Sequence, residues 1–286
     1  MISVVVPAHN EEDVIERCLA ALLCNAAPGE LEIIVVCNGC ADRTAERARR
    51  FGPPVRIIET PVASKTTALN LGDAAATGFP RFFVDADVIF DLPALRVLAD
   101  ELKRGTILAA APRVRFDTTR SPWPVRAFYR IADRLPSAEE GIGGSGVYGL
   151  SERGRKRFDQ FPHLTADDGF VRIQFRPDER RTIAASRSVV VAPRTSGELL
   201  AITTRATFGT VELRRRVPGN WANKGPGNNR AVVKLLLRPT TWPDLGVYLT
   251  VKLLARWRAR RKFRNQDLQG WERDQTSRVI GHPARS

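Results

Sequence analysis

The first third of the chain alternates short apolar runs with amphipathic segments, and this alternation is the feature that most restricts its fold. Four runs are rich in β-branched or aromatic side chains: Ile2–Val6, Leu31–Val36, Val55–Ile58 and Phe82–Val84. Such runs are typical of strands buried on both faces. Helical patterns lie between them, from Val14 to Leu23, from Asp42 to Phe51 and from Lys65 to Thr77. The order β-α-β-α-β-α-β predicts an α/β fold with a mostly parallel sheet and helices on both faces.

Composition excludes several other classes of protein. With 43% hydrophobic residues, 19 Pro and 21 Gly among 286 residues, the chain is neither disordered nor a fibrous repeat. Its four cysteines all precede position 41 and are too few to staple a secreted fold, which favours a reducing compartment. No signal peptide is expected before the first strand. An uncharged apolar stretch of about 18 residues is also missing, so no membrane-spanning helix is predicted.

Positive charge is concentrated towards the C-terminal end. The formal net charge is +14 at pH 7, and residues 201–286 alone hold 18 Lys and Arg against 5 Asp and Glu. The first 200 residues are therefore close to neutral. A basic terminal third on a neutral body indicates a local anionic partner, such as lipid headgroups or a diphosphate, more than nucleic acid.

Two carboxylates, Asp85 and Asp87, directly follow the fourth predicted strand. Parallel sheets bind ligands at the carboxyl ends of their strands, and Mg²⁺ and Mn²⁺ are held by one or two carboxylates together with water and substrate phosphate. An Asp after a strand can also cap the next helix. Asp91 precedes Leu92 and Pro93 and suits that role. For Asp85 and Asp87, these residues alone leave a metal site and ordinary loop charges as alternatives.

Four motifs occur in one order along the chain: Val4-Val5-Val6-Pro7-Ala8-His9-Asn10-Glu11-Glu12, Val35-Val36-Cys37-Asn38-Gly39-Cys40-Ala41-Asp42, Ser64-Lys65-Thr66-Thr67-Ala68-Leu69-Asn70 and Phe83-Val84-Asp85-Ala86-Asp87. In order and spacing they resemble family 2 glycosyltransferases, over about residues 1–210. The resemblance implies a GT-A (Rossmann-like) fold, a nucleotide-diphosphate-sugar donor, a divalent cofactor (Mn²⁺ or Mg²⁺) and inversion at the anomeric carbon.

The resemblance also assigns residues to the donor site. It implies that Asp87 binds the metal ion and that Asp85 contacts the metal or the donor ribose. It further implies that Pro7, His9 and Glu11 line the nucleoside pocket.

The chain departs from the family pattern after the second strand. Many relatives have Asp-Asp-Gly-Ser at the place where this chain has Cys37-Asn38-Gly39-Cys40. The contact that a carboxylate makes to the nucleobase in those relatives is therefore expected from Asn38 or from elsewhere.

Lys65 matches the family's lysine at the start of the third helix, which implies a cation near the diphosphate. A solvated lysine at a helix start is the alternative.

A second pair of carboxylates, Asp167 and Asp168, lies in the segment Thr165–Phe170. Inverting transfer needs a carboxylate that takes the proton from the acceptor hydroxyl as the hydroxyl attacks. The segment resembles the family's Glu-Asp motif, with Asp167 in place of Glu, and the match nominates Asp168 as the general base. Solvated loop charges are the alternative. A like-charged neighbour can raise the pKa of one of the two carboxyls, and the sequence does not show which.

Two more segments are expected on the acceptor side. Gly141–Leu150 resembles the glycine-bearing segment beside the family's acceptor and places Gly143 and Gly144 there. Thr204–Gly209 aligns with the Arg-Trp segment of processive relatives but lacks the Trp. Arg205 is expected to contact the diphosphate, with a surface arginine as the alternative. Because that Trp and an encoded channel are both missing, we expect addition of one sugar per encounter.

The C-terminal region, residues 219–286, is expected to be a mobile loop followed by a basic helix. The loop is Gly219–Asn229, and the helical segment Leu245–Arg264 mixes apolar and cationic side chains. This segment is too short and too charged to span a bilayer. It can lie on an anionic membrane surface, or it can pack its apolar side on the body of the protein.

The sequence thus predicts a GT-A domain with a nucleotide-sugar half, residues 1–112, and an acceptor half, residues 113–218. The expected reaction moves one sugar to a hydroxyl of a lipid-linked or polysaccharide-precursor acceptor, in the cytoplasm or at the inner face of the cell membrane. The alternative is a nucleic-acid-binding protein, which only the basic third supports; no specific nucleic-acid partner is expected. A dinucleotide-dependent oxidoreductase would need a glycine-rich turn where Pro7-Ala8-His9-Asn10 stands.

Overall fold

The computed structural model describes residues 1–139, 142–225 and 227–264. Within these residues, seven strands form one sheet: β1 (Ile2–Ala8), β2 (Leu31–Asn38), β3 (Val55–Thr60), β4 (Arg81–Val84), β5 (Ala109–Asp117), β6 (Val147–Leu150) and β7 (Arg180–Val191). The same residues contain ten α-helices: α1 (Ile15–Leu23), α2 (Thr44–Arg49), α3 (Lys65–Ala75), α4 (Leu92–Lys103), α5 (Trp123–Ala132), α6 (Glu152–Arg155), α7 (Asp167–Ile173), α8 (Ser196–Arg216), α9 (Asn229–Leu236) and α10 (Trp242–Arg264).

The strands stand in the order β3-β2-β1-β4-β6-β5-β7. β1 pairs in parallel with both β2 and β4, whereas β6 runs antiparallel to β4 and β5. The sheet is therefore mixed and mostly parallel, which confirms the predicted fold class. Because β1, β2 and β4 are parallel neighbours, their carboxyl ends meet at one edge of the sheet.

Helices cover both faces of the sheet, and successive residues of β1 show why. Every residue of β1 is buried, and side chains of a strand point alternately to its two faces. Val4 and Val6 pack in a cluster with α1, α2 and α4, whereas Val5 packs in a second cluster with α3 and α7. A strand covered on both faces needs apolar side chains at every position, and this accounts for the continuous apolar run.

The predicted helix cap at Asp91 is confirmed. Its carboxylate accepts a hydrogen bond from the Ala94 backbone N–H at 2.9 Å, and α4 begins at the next residue. Beyond Asp91 the sequence no longer alternates apolar runs with helical patterns, which would suggest mainly loops, but the structure continues with the regular elements α4, β5, β7 and α8. β5 opens with Ala109-Ala110-Ala111, and β7 mixes arginine, alanine and serine before three partly buried valines. Neither strand is a continuous β-branched run over its whole length.

The segment Gly219–Asn229 is held to the body more closely than its composition predicts. A 3₁₀ turn forms at Trp221–Lys224. The Arg180 guanidinium donates hydrogen bonds to the carbonyls of Asn223, at 2.8 Å, and Lys224, at 3.1 Å. These bonds tie the described part of the segment to β7. Pro226 and Gly141, which belong to two of the predicted segments, lie outside the described residues.

The expected basic helix is present as α10, and one of its faces packs on the body. Leu245 and Tyr248 join a cluster with Leu235 of α9, Val125 of α5 and Leu199 of α8. Within the described residues, no helix is both long enough and apolar enough to cross a membrane. Residues 265–286 of the predicted tail lie outside the described residues. The predicted boundary at residues 112 and 113 falls at a register shift within β5.

Candidate functional site

Most of the predicted site residues lie at the edge where β1, β2 and β4 end. Asp85 follows β4 directly, Lys65 is the first residue of α3, and Asp167 is the first residue of α7. The glycine-bearing segment leads into β6, which pairs with β4. Three chain segments that are far apart in sequence therefore deliver charged side chains to one place.

The loop that carries Asp85 and Asp87 is fixed by two backbone contacts. The Asp85 N–H donates a hydrogen bond to the carbonyl of Gly146 at 2.8 Å. Gly146 has a φ of +63°, and a Cβ there would lie 2.4 Å from Cγ2 of Val88, so this contact requires glycine. On the other side, the Arg17 guanidinium donates to the carbonyl of Asp87 at 3.3 Å.

Lys65 links two of the carboxylates through its ammonium group. Ser64 caps α3 by accepting a hydrogen bond from the Thr67 N–H at 3.2 Å, and this sets the position of Lys65. Its Nζ lies 2.7 Å from Oδ1 of Asp85 and 3.1 Å from Oδ1 of Asp167. The expected donor-side carboxylate and one member of the expected acceptor-side pair therefore belong to one ion-paired group, which we call the Lys65 cluster (Lys65, Asp85, Asp167).

Burial and mutual charge shift the pKa of each group in the Lys65 cluster. Burial alone would lower the pKa of the Lys65 ammonium, but the carboxylates of Asp167 and Asp85 outweigh it and raise that pKa above its usual range. Burial raises the pKa of Asp167 to about 6; Lys65 opposes this rise, and the charge of Asp168 adds to it. Burial likewise raises the pKa of Asp85, with a further contribution from Asp87.

Asp168 differs from its neighbour in exposure and in hydrogen bonding. Asp167 is 6% exposed, whereas Asp168 is only partly buried. The Asp168 carboxylate accepts a hydrogen bond from the N–H of Gly144 at 3.0 Å and another from the N–H of Gly169 at 2.7 Å. Gly144 has a φ of +75°, and Gly143 lies beside the same carboxylate. The raised pKa thus belongs to buried Asp167, while accessible Asp168 is anchored by the glycine-bearing segment.

Tyr148 is a residue of this site that sequence reasoning did not single out. Its ring stacks on Phe83 with 5.0 Å between ring centroids. Its hydroxyl and Oδ2 of Asp167 are both buried, and neither has a hydrogen-bond partner among the described residues. Burial and the charge of Asp167 raise the pKa of the Tyr148 hydroxyl well above its usual range. In the sequence, Tyr148 is only one residue of a short buried strand, and nothing in it marks a functional role.

The predicted nucleoside-pocket residues form a second group at the ends of β1 and β2. Nδ1 of His9 is hydrogen-bonded to the backbone carbonyl of Asn38. The Asn38 side chain donates to the carbonyl of Ala8 at 2.9 Å, and the residue is 2% exposed, so its amide joins the two strand ends. Pro7 is buried within β1, and Glu11 is 7% exposed in the loop that follows. Because only 2% of Asn38 is exposed, a nucleobase contact from its side chain would require neighbouring residues to move.

Helix α8 carries Arg205, which is exposed. Gly209, one turn later, packs against Ala166, where an added Cβ would come within 3.0 Å of the alanine Cβ. Farther along α8, the Glu212 carboxylate accepts a hydrogen bond from the Thr165 N–H at 2.9 Å. The helix therefore packs against the segment that precedes Asp167.

The carboxylates of Asp85 and Asp87 fit a divalent ion that is shared with a substrate. Among the described residues, no three His, Cys, Asp or Glu side chains are grouped so that they would enclose a metal ion. Mg²⁺ and Mn²⁺ do not need such a cage, because one or two carboxylates suffice when water and substrate phosphates complete the coordination. The raised pKa of Asp85 also indicates that additional positive charge would be stabilising there.

Comparisons with known proteins identify relatives of the first half of the chain. The family described as Glycosyl transferase family 2 matches residues 3–170. The uncharacterized glycosyltransferase EpsJ of Bacillus subtilis (strain 168) is 30% identical over 110 residues, which cover 37% of this chain and 32% of that protein. The dolichol-phosphate mannosyltransferase of Pyrococcus furiosus is 30% identical over 133 residues, 45% of this chain and 37% of that protein. The matches thus span about a third of these curated relatives.

Solved structures share the fold over more of the chain. The mannosyltransferase PcManGT from Pyrobaculum calidifontis, in complex with GDP-Man and Mn²⁺, superposes with a TM-score of 0.59 at 21% identity and covers 95% of this chain and 76% of that chain. Glucosyl-3-phosphoglycerate synthase from Mycobacterium tuberculosis, in complex with Mn²⁺, UDP and glucosyl-3-phosphoglycerate, gives a TM-score of 0.54 at 22% identity, over 76% of this chain and 79% of that chain.

Proposed function

The chain belongs to glycosyl transferase family 2 and has the GT-A fold, and on that premise we propose that it transfers one sugar from a nucleotide-diphosphate sugar to an acceptor hydroxyl with inversion. The observation that carries this proposal is the Lys65 cluster. Lys65 contacts Asp85, on the expected donor side, and Asp167, which adjoins the expected base. Transfer requires the two substrates to meet at one place. The ion pairs of Lys65 hold the carboxylates of Asp85 and Asp167 together at such a place.

The donor is proposed to bind along the ends of β1, β2 and β4. Pro7, His9 and Glu11 would border its nucleoside, while Asp87 and Asp85 would hold Mn²⁺ or Mg²⁺ against its diphosphate. When bound, such an ion offsets the negative charge that develops on the departing diphosphate. The relatives solved with Mn²⁺ and a nucleotide support this assignment.

The acceptor is proposed to approach from the side of Asp168 and Gly144. Asp168 takes the proton of the acceptor hydroxyl, whose oxygen bonds to the anomeric carbon as the bond from that carbon to the diphosphate oxygen breaks. Two features support Asp168 over Asp167 as the base. Asp168 is accessible and its carboxylate is oriented by two backbone N–H groups, whereas Asp167 is buried against Lys65. Arg205 on α8 would add positive charge near the diphosphate.

The acceptor class is proposed to be a lipid-linked or polysaccharide-precursor alcohol, with one sugar added per encounter. One relative is named a dolichol-phosphate mannosyltransferase, which supports the lipid part of this proposal and not the choice of a hydroxyl. In this proposal the protein works in the cytoplasm, peripherally at the inner face of the cell membrane.

A thermal-shift panel tests donor binding. Nucleoside diphosphates and their sugars are added with and without Mn²⁺ to wild type, to Asp87→Asn and to Asp100→Asn, whose exposed carboxylate on α4 serves as a matched control. We expect at least one nucleotide to raise the unfolding temperature of wild type and Asp100→Asn only when Mn²⁺ is present. Asp87→Asn should lose that response. A protein that responds to no nucleotide under any condition would contradict the proposal.

A further inference from the structure

The last two described helices expose large apolar side chains to solvent. Among the described residues, twelve large hydrophobic side chains are exposed, and eight of them lie between positions 233 and 257. Seven form what we call the C-terminal surface: Val233 (58% exposed), Leu236 (47%), Leu237 (78%), Trp242 (58%), Leu249 (36%), Leu253 (62%) and Trp257 (59%). Exposed apolar groups gathered in one region mark an interaction site, whereas scattered ones do not.

The apolar side chains of α10 are exposed although the helix is packed on the body of the protein. On its other side α10 buries Leu245, Tyr248, Ala255 and Ala259. Tyr248 stacks on Phe128 of α5 with 5.1 Å between ring centroids. The orientation of α10 is therefore fixed by packing, and its outward residues are held outward.

The exposed residues form a continuous band. On α10, Trp242, Leu249, Leu253 and Trp257 follow one another at intervals of seven, four and four residues, which places them on one helix face. The Trp242 indole N–H donates to the carbonyl of Leu236 at 2.9 Å. This bond joins the start of α10 to the end of α9, so that the exposed side chains of both helices adjoin.

Cationic side chains are abundant around this band, and carboxylates are almost absent. Residues 229–264 contain ten Lys and Arg against one acidic residue, Asp244, and that carboxylate is already paired with Arg130 at 2.6 Å. Eight of the ten cations are exposed: Arg230, Lys234, Arg238, Arg256, Arg258, Arg260, Arg261 and Arg264. Lys252 is not among them, because it lies over the rings of Phe128 and Tyr248.

We propose that the C-terminal surface binds the interface of a bilayer that contains anionic lipid. Leucine and tryptophan side chains bury in the boundary between headgroups and acyl chains, while arginine and lysine contact anionic headgroups. A second copy of this chain fits less well, because symmetric pairing would bring eight exposed cations against eight. Nucleic acid would satisfy the cations but would leave the leucines exposed.

The surface is coupled to the candidate site through α8. Phe263 of α10 stacks on Phe208 of α8 with 4.2 Å between ring centroids, and the Arg215 guanidinium lies 4.8 Å from the Phe263 centroid. Arg205 is three residues before Phe208 on the same helix. A bound bilayer would supply a lipid-linked acceptor to this site, and this part of the inference rests on the proposed function. Binding to the bilayer itself does not depend on the proposed function.

Vesicle flotation of the full chain tests the proposal. The vesicles are phosphatidylcholine alone or phosphatidylcholine mixed with phosphatidylglycerol, at low and high salt. Two pairs of variants are compared with wild type: Leu253→Asp with Leu71→Asp, an exposed leucine on α3, and Arg260→Glu with Arg153→Glu, an exposed arginine on α6. The unfolding temperature and the nucleotide response of every variant are measured in parallel.

Wild type should float with the anionic vesicles, and less so with neutral vesicles or at high salt. Leu253→Asp should lower the partition coefficient by about tenfold or more, and Arg260→Glu by about fivefold or more, while their controls match wild type. No flotation of wild type, or equal loss in Leu253→Asp and Leu71→Asp, would overturn the proposal. The proposal would also be overturned if the protein forms a dimer that vesicles do not affect and that Leu253→Asp dissociates. The same conclusion would follow if random duplex DNA displaces the vesicles from the protein. None of these outcomes depends on the nucleotide response, which tests the proposed function separately.

Discussion

At the scale of single residues, the central feature is a lysine between two carboxylates from different parts of the chain. Lys65 and Asp167 are about a hundred positions apart in the sequence, yet they come within 3.1 Å. Their residue types and family motifs can be recognised in the sequence, and so can every member of the Lys65 cluster. The contact itself could not be predicted, because it depends on how α7 returns to the edge of the sheet. The same holds for Tyr148, whose buried hydroxyl only the folded chain places near Asp167.

Replacing Lys65 by methionine should destabilise the protein in a way that depends on pH. At neutral pH we expect Lys65→Met to lower the free energy of unfolding by about 1–3 kcal/mol, because buried Asp167 and the partly exposed Asp85 lose their partner. Lys65 lowers the pKa of Asp167, which is about 6 in its presence. Without Lys65 this folded-state pKa rises further above the unfolded value, and the folded variant binds more protons than folded wild type. The difference in the free energy of unfolding between wild type and Lys65→Met should therefore become smaller as the pH falls from neutral towards about 6 and below.

Urea unfolding of wild type, Lys65→Met and Lys103→Met at several pH values measures this effect. Lys103 is an exposed lysine at the end of α4, and its replacement should change stability little at any pH. A Lys65→Met deficit that stays constant, or that grows as the pH is lowered, would show that Lys65 does not act through the neighbouring carboxylates.

At the scale of elements, close contact between α3 and the sheet holds Lys65 in place. Gly72 lies in the middle of α3, and a Cβ at this position would come within 2.4 Å of Cγ1 of Val5 and 3.1 Å of Cγ2 of Val36. The helix can approach the sheet this closely only because residue 72 has no side chain. The position of α3, and with it the position of Lys65, therefore depends on this glycine.

Two glycine-to-alanine substitutions should change stability in opposite directions. Gly72→Ala should lower the free energy of unfolding by about 1–3 kcal/mol, because the added methyl overpacks the contact with β1 and β2. Gly246→Ala in α10 should raise it by about 0.5–1 kcal/mol, since nothing lies within 4 Å of the added Cβ and alanine favours the helix. Chemical unfolding of both variants checks the pair. Stabilisation by Gly72→Ala would refute the packing of α3.

The sequence predicts elements best where an apolar run is long and lies between clear helical patterns. Strands β1 to β4 and helices α1 to α3 are foreseen to within a few residues. β1, β2 and β4 are buried throughout, and the edge strand β3 is only partly buried but still has the run Val55–Ile58. β7 escapes prediction, since its burial is irregular along twelve residues. α8 also escapes it, because Thr203, Thr204, Thr207 and Thr210 are poor helix formers. Each threonine hydroxyl bonds the carbonyl four residues earlier within the helix.

At the scale of the whole molecule, the net charge of +14 separates into two unlike parts. The candidate site gathers several carboxylates around Lys65 and is built on the nearly neutral first 200 residues. Much of the excess positive charge surrounds the exposed apolar band of α9 and α10. Helix α8 touches both regions, since Gly209 packs on Ala166 and Phe208 stacks on Phe263. In this account, the basic third places the enzyme at its substrate and the neutral part carries out the transfer.

The most direct test of the account is release of nucleoside diphosphate from the donor, measured on wild type and Asp168→Asn with the donor identified by the thermal-shift panel. Wild type should release the diphosphate in the presence of Mn²⁺, with water or an added alcohol as the acceptor. Asp168→Asn should bind the donor as wild type does but react about 10²–10⁴-fold more slowly, because the base that accepts the hydroxyl proton is lost. Release by Asp168→Asn at the wild-type rate would contradict the account.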